Sequence, residues 1–260
     1  MTPAAPTALA GRHALVTGAG RGIGAAVARA LAAEGAQVSL LGRDEAALQK
    51  LAHELGAGTA PLVADLTDTG SVERAFAAAR RQFGPLHLLI NNAGQADSAK
   101  FSDTDEALWN RILAVNLTGT YLCARHALPD MQAAGFGRVV NVASIAGLRG
   151  AAYIAAYASS KHAVIGLTRS LALEYAALPI TVNAVCPGYV DTDMTRRAIA
   201  HIAAKTGRSE REALDALLAR NPQRRLIEPR EVADTVLWLC KPGTESVTGQ
   251  SIVLAGGEVT

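Results

Sequence analysis

The 260-residue chain sets 25 Lys and Arg against 23 Asp and Glu, a net charge of +2, and half of its residues are hydrophobic. Twenty of the basic residues are arginines scattered along the chain, which offers neither nucleic acid nor an anionic membrane surface a concentrated patch. No apolar run reaches the ~18 residues of a spanning helix, and Met1 to Gly11 lacks the charged start and apolar core of a secretory leader, so a cytoplasmic protein with no membrane or nucleic-acid partner is expected.

The length suits one α/β domain over residues 1–260 with a substantial core. Strand-like and helix-like segments alternate from end to end, the signature of a parallel sheet covered by helices on both faces. Seven strands are expected, at His13–Thr17, Gln37–Leu41, Ala60–Ala64, Leu86–Ile90, Arg138–Val142, Ile180–Val185 and Ser251–Leu254, and their continuous apolarity fits central, fully buried positions. Cys123, Cys186 and Cys240 are widely spaced in apolar surroundings and read as buried thiols, with no metal expected.

The first strand runs directly into Gly18-Ala-Gly-Arg-Gly-Ile-Gly24 and then an apolar helix. Glycines allow tight backbone turns, and a helix N-terminus favours an anion, so strand, turn and helix in this order suggest a dinucleotide pyrophosphate site. The second strand ends in Leu41-Gly42-Arg43-Asp44. A carboxylate at the end of this strand usually binds the ribose hydroxyls of NAD and repels a 2′-phosphate. Here Gly42 stands at that point with Arg43 next and Arg21 inside the glycine turn, which favours NADP over NAD. The alternative is a solvated Arg43 with Asp44 serving NAD. Asp65-Leu66, after the third strand, are either an adenine contact or part of a helix cap, a role Thr67 or Thr69 also suit.

Asn91-Asn-Ala-Gly94 follows the fourth strand at the sheet edge where ligands of such folds lie. A long helix is expected from about Asp105 to Met131, with Asn116 as an amide in an otherwise apolar turn. Farther on, Tyr157 and Lys161 are four apart in an alanine-rich helical run, so one turn sets an ammonium beside a phenol. A phenol ionises near pH ~10; a neighbouring cation lowers that value and makes it a usable acid or base toward a carbonyl or secondary alcohol. The hydride such chemistry requires must come from a cofactor. Ser144, thirteen residues earlier, is either a cap hydroxyl or a ligand for the substrate oxygen. Tyr153 has a Tyr four residues on in place of a Lys and reads as a pocket wall.

Together these motifs resemble the short-chain dehydrogenase/reductase family over nearly the whole chain. The pattern Thr-Gly-x-x-x-Gly-x-Gly falls on Thr17, Gly18, Gly22 and Gly24, the Asn-Asn-Ala-Gly motif on 91–94, and the Pro-Gly motif with its later threonine on Pro187, Gly188 and Thr192. The resemblance implies a doubly wound Rossmann-type sheet and a catalytic set of Asn116, Ser144, Tyr157 and Lys161. In that set Asn116 holds a water of a proton relay, the alternative being a satisfied buried amide, and Lys161 both holds the ribose and lowers the Tyr157 pKa. It further implies NADP or NAD contacts from Gly18, Arg21, Gly22, Ile23, Gly24, Arg43, Asp65, Leu66, Asn92, Ala93, Gly94, Tyr157, Lys161, Pro187, Gly188, Val190 and Thr192. Ser144, Tyr157, Gln95, Tyr153 and Tyr189 are expected on the substrate side.

Residues 188–228 carry no strand pattern and read as a substrate lid of one or two helices, for example Ser209 to Arg220 with a Ser209/Glu212 capping box. Between Asp191 and Arg230 stand eight Arg and one Lys against six acids, which suits an anionic carrier such as coenzyme A or, more plainly, a solvated face. The helix near Glu231 to Cys240 and the last strand resemble the parts through which family members form dimers and tetramers. The expected activity is a carbonyl reductase or secondary-alcohol dehydrogenase on a 3-oxoacyl thioester, a polyketide-like ketone or a hydrophobic or cyclic ketone. The competing readings are a dinucleotide-binding redox sensor without chemistry and an epimerase or lyase on the same fold.

Overall fold

The computed structural model describes residues 7–259; Met1 to Pro6 and Thr260, and with them most of the stretch read above for a leader, lie outside the described residues. Seven strands, β1 (His13–Thr17), β2 (Gln37–Gly42), β3 (Thr59–Val63), β4 (Leu88–Asn91), β5 (Gly137–Val142), β6 (Ile180–Pro187) and β7 (Ser251–Leu254), form one parallel sheet in the order β3-β2-β1-β4-β5-β6-β7. The helices that cross between them are α1 (Gly22–Ala33), α2 (Glu45–Leu55), α3 (Thr69–Phe83), α4 (Glu106–Leu113), α5 (Gly119–Ala134), α6 (Ala155–Glu174), α7 (Asp193–Thr206), α8 (Glu210–Leu218) and α9 (Pro229–Cys240). The chain leaves β1 toward one margin and returns at β4 toward the other, so the crevice between the ends of β1 and β4 is the switch point of the sheet, where ligands of such folds bind.

Two apolar cores flank the sheet. Val27, Ala28 and Leu31 of α1 and Val232, Val236 and Leu239 of α9 pack on one face, while Val72 and Phe76 of α3 and Leu128 and Met131 of α5 pack on the other. The four central strands β1, β4, β5 and β6 are buried at every position, as their unbroken apolar runs require. The two marginal strands depart from that expectation. β3 is half-exposed with Val63 54% accessible, and β7 is only partly covered, because each has a neighbour on one side alone. Pro61 belongs on such a margin: hydrogen bonds to β2 include the Gly58 carbonyl and the Ala64 N–H, so even-numbered residues face β2 and Pro61 sits on the open side, where its missing N–H costs no ladder bond.

The long helix expected from Asp105 to Met131 is a continuous run whose third turn is a π-helical bulge over Ala114–Thr118, separating α4 from α5. Such bulges concentrate at functional sites. Asp68, rather than Thr67 or Thr69, caps α3 by accepting from the Gly70 N–H, while Asp65 closes its own turn by accepting from the N–H and hydroxyl of Thr67. The segment after β6 is helical as expected: α7 follows Thr192, and α8 carries the Ser209/Glu212 capping box.

Candidate active site

A cavity of about 640 Å³ lies over the carboxyl ends of β1, β2, β4, β5 and β6. At its floor the glycine turn is held open by backbone geometry. Gly18 (φ +64°) packs so closely against the next motif that a Cβ there would lie 3.0 Å from Ala93 Cα and 3.0 Å from Asn92 Nδ2. Gly22 (φ +54°) faces Thr192, the residue that opens α7, at 3.1 Å by the same measure. Thr17 pins the two motifs together: its hydroxyl accepts from the Asn92 and Ala93 N–H groups at 2.9 and 3.0 Å, and Asn92 Nδ2 donates to the Thr17 carbonyl at 2.9 Å. Helix α1 has no side-chain cap and no acid in its first turn, so its first N–H groups face the cavity ready for an anion.

Gly18, Arg21, Gly22, Ile23, Arg43, Asp65, Leu66, Asn92, Ala93, Gly94, Pro187, Gly188, Val190 and Thr192 all line this cavity. Gly24 does not. It lies behind the turn, where any side chain would collide with the Gly18 carbonyl and the Asn92 amide, so its smallness serves helix-to-turn packing. Asp44 lines the cavity, but its carboxylate accepts from the Ala47 N–H at 3.1 Å as the cap of α2. Among the described residues Arg21 and Arg43 enter no ion pair, and Arg43 lies close enough to Asp65 to help hold that carboxyl below its usual range, behind the larger effect of the Thr67 hydrogen bonds.

Ser144, Tyr157 and Lys161 line the opposite half of the same cavity. Ser144 takes the cap role the sequence allowed. Its hydroxyl accepts from the Ala146 N–H at 3.1 Å as the cap of a short 3₁₀ turn, Ile145–Gly147, and it hydrogen-bonds toward Tyr157. Lys161 is buried, its Nζ donating to the Val142 carbonyl at 2.8 Å and standing 5.7 Å from the centre of the Tyr157 ring. Burial holds this ammonium down to about 8. Burial pushes the Tyr157 phenol above its ordinary 10, with the Ser144 hydrogen bond pulling the other way.

Asn116 sits in the π-helical turn and is buried. Its Oδ1 accepts from the Gln95 N–H at 2.8 Å, and its Nδ2 donates to the Gln95 carbonyl and the Ser160 hydroxyl, each at 2.9 Å. A Cβ placed on Gly94 would lie 3.4 Å from Asn116 Oδ1 and 3.6 Å from Lys161 Nζ, so amide and ammonium flank this glycine. The side chain is thus a clamp between the end of β4 and α6, with both amide hydrogens donated, and does not itself line the cavity. Gln95 lines it; Tyr153 does not. Tyr153 takes a left-handed backbone conformation (φ 69°) with its carbonyl accepting from the Ala99 N–H, which turns the ring 63% into solvent. Tyr189 stands just outside the lining, near Tyr157 and Glu258. Sequence reasoning missed Val115, Asp193, Met194 and Arg197 among the lining. Val115 is carried inward by the π-helical turn, and the other three by the first turns of α7.

A model of the short chain dehydrogenase family matches residues 12–203. The chain belongs to that family. It is an oxidoreductase, and its similarity to other members runs end to end. It is 39% identical over 98% of its length to the granaticin polyketide synthase putative ketoacyl reductase 1 of Streptomyces violaceoruber, covering 95% of that protein. It is 40% identical over 96% of its length to a cis-4-hydroxycyclohexanecarboxylate dehydrogenase of Sinomonas cyclohexanicum, covering 97%. Among solved structures, a variant actinorhodin polyketide ketoreductase crystallised with NADPH superposes with a TM-score of 0.91 at 38% identity, over 95% of this chain and 97% of that one. The seven-stranded order found here is accordingly that of a short chain dehydrogenase on a Rossmann-type sheet.

Proposed function

We propose that this short chain dehydrogenase reduces a ketone to a secondary alcohol with NADPH, on a 3-oxoacyl thioester or a hydrophobic or cyclic ketone. One observation carries the reading: the phenol of Tyr157, the hydroxyl of Ser144 and the ammonium of Lys161 share a cavity with the glycine turn. The uncapped N-terminus of α1 fits a pyrophosphate, and Arg21 and Arg43 fit a 2′-phosphate, beside a strand end where Asp44 is committed to capping α2. When bound, the dinucleotide supplies the hydride. Ser144 and Tyr157 hold the carbonyl oxygen and Tyr157 delivers its proton; a phenol kept neutral by burial is in the right form to do so at neutral pH. Lys161, charged below about 8, stabilises the phenolate left behind and holds the ribose hydroxyls. Asn116 keeps Gly94 and Ser160 in place around that ammonium, and its Oδ1, which accepts from the Gln95 N–H alone, keeps a lone pair for a relay water.

Residues 188–228 act as the lid in this reading, since α7 and α8 follow Thr192 at the cavity rim. Self-association as a dimer or tetramer is supported by Trp238, 47% exposed on α9, and by the open margin of β7. The test is a panel of neutral ketones mixed with NADPH and followed by loss of absorbance of the reduced cofactor. Tyr157→Phe is expected to lower turnover by about a hundredfold or more while leaving NADPH affinity within a factor of ~2. Unchanged turnover in that variant removes the assignment of the acid.

A further inference from the structure

The C-terminal tail carries a carboxylate that a merely structural tail has no use for. Glu258 has only 3% of its side chain exposed; one oxygen pairs with the Arg149 guanidinium, and the other, Oε2, is buried with no hydrogen-bond partner among the described residues. A buried carboxylate with an unmatched oxygen is a poor stabiliser compared with an amide or an apolar side chain of similar size. Its surroundings nevertheless fix it in place. Gly256 (φ +58°) and Gly257 (φ +87°) thread the tail against Asn221 and Pro222 at the far end of the lid, and Ala255 packs on Gly188, where the lid begins. Arg149 lies outside the residues that line the cavity but close to them in the chain: it comes five residues after Ser144, just past the 3₁₀ turn that Ser144 caps, and its N–H donates to the Ile145 carbonyl at 3.1 Å. Tyr189 lies near enough to Tyr157, to both members of this ion pair and to Arg220 to feel or exert their charge.

We infer that Glu258 is a specificity-determining residue that masks the charge of Arg149, so that the substrate side of the cavity accepts neutral ketones and gives anionic ones no counter-ion. The guanidinium is in place to meet a carboxylate, but its partner on the tail already occupies it. The inference rests on the reductase reading above. NADPH affinity, measured by fluorescence titration, separates the two: loss of binding by the unaltered protein refutes that reading, whereas the mask is judged from the variants alone.

The experiment compares 4-oxocyclohexanecarboxylate with its methyl ester, which differ by one charge, and scores the ratio of their kcat/KM values. Glu258→Gln frees the guanidinium and is expected to raise the acid-to-ester ratio about tenfold, the size of one partly screened charge contact. Arg149→Gln uncovers the carboxylate instead and lowers the ratio by a similar factor, and the double variant returns it near the starting value. Labelling by phenylglyoxal, read by peptide mass, gives a signal independent of turnover: Arg149 is expected to react slowly in the unaltered protein and about tenfold faster in Glu258→Gln. If labelling of Arg149 is unchanged, there is no mask; if labelling rises while the ratio stays flat in both single variants, the pair does not face the substrate. Should Glu258→Gln fail to fold, Arg149→Gln decides alone, since an unmoved ratio there also overturns the proposal.

Discussion

Lys161 is the residue on which the chemistry of the site turns, and its charge is held on a short leash. Buried among Ala156, Val164 and Ile165 with one carbonyl partner, it loses its proton at about pH 8 instead of at the 10.5 of a free lysine. The sign follows directly: the ammonium is present below that value and disappears as pH rises through it. If it holds the ribose of the dinucleotide, NADPH affinity is expected to be flat from pH 6 to 7 and to weaken by about tenfold toward pH 9, and Lys161→Gln is expected to remove that dependence. A titration of Kd against pH, free of substrate, checks this. Tyr157 and Lys161 were legible in the sequence because a four-residue spacing in a helix fixes their shared face. The direction of the Tyr157 pKa was not, since it depends on how much water the fold removes from both groups, and spacing carries no information about that. Gly24 shows the same limit: the motif names the glycine, but only packing reveals that it makes room for the Gly18 carbonyl and the Asn92 amide.

Among the elements, the π-helical turn at Ala114–Thr118 is what brings the fourth polar residue to the others. An amide inside an apolar helical run is visible in the sequence; the extra residue per turn that swings Asn116 toward Gln95 and Ser160 is not, because the periodicity on either side is that of one helix. Asn116→Ala strips partners from the Gln95 N–H and carbonyl and from the Ser160 hydroxyl, and is expected to cost about 2–4 kcal/mol of stability. Asn116→Asp, which keeps the acceptor but has no N–H to give, is expected to rank between the alanine variant and the unaltered chain. Urea unfolding of the three proteins orders them. Helix α8 was legible from its Ser209/Glu212 capping signal, whereas the inward reach of Val115 and Arg197 depends on where neighbouring elements deliver them, and no local pattern records that.

Across the whole molecule, the seven strands and the placement of motifs at their ends were legible in the apolar runs and in the succession of glycine, asparagine and proline motifs, whereas the spatial order of the strands is seen only in the fold. Which strands are marginal was not, because an apolar strand reads alike in the centre and at the side. The end of the sheet opposite the cavity carries a further property of the whole fold. His13 is buried there, one ring nitrogen 2.9 Å from the Gly84 carbonyl and the other 2.9 Å from the Ser39 hydroxyl, and its main-chain N–H donates to His87 Nδ1 at 3.1 Å. Burial holds both imidazoles below their ordinary 6.5, that of His13 with opposing help from the Gly84 carbonyl. The folded chain therefore keeps them neutral while the unfolded chain takes up protons near pH 6.5. Stability is complete above that value and is lost as pH falls below it toward the lower folded-state values. Thermal melts between pH 7.5 and 5 are expected to show a falling Tm that His13→Gln flattens; an equal slope in that variant removes His13 as the cause.

The proline in β3 has a consequence for how the protein keeps company with its own copies. Every open sheet margin is a template on which a stray strand from another molecule can zip up, and Pro61 interrupts that template at its middle by offering no hydrogen on the outward side. A strand adding to this flank finds one donor missing at its midpoint, whereas β7, on the opposite flank, carries no proline.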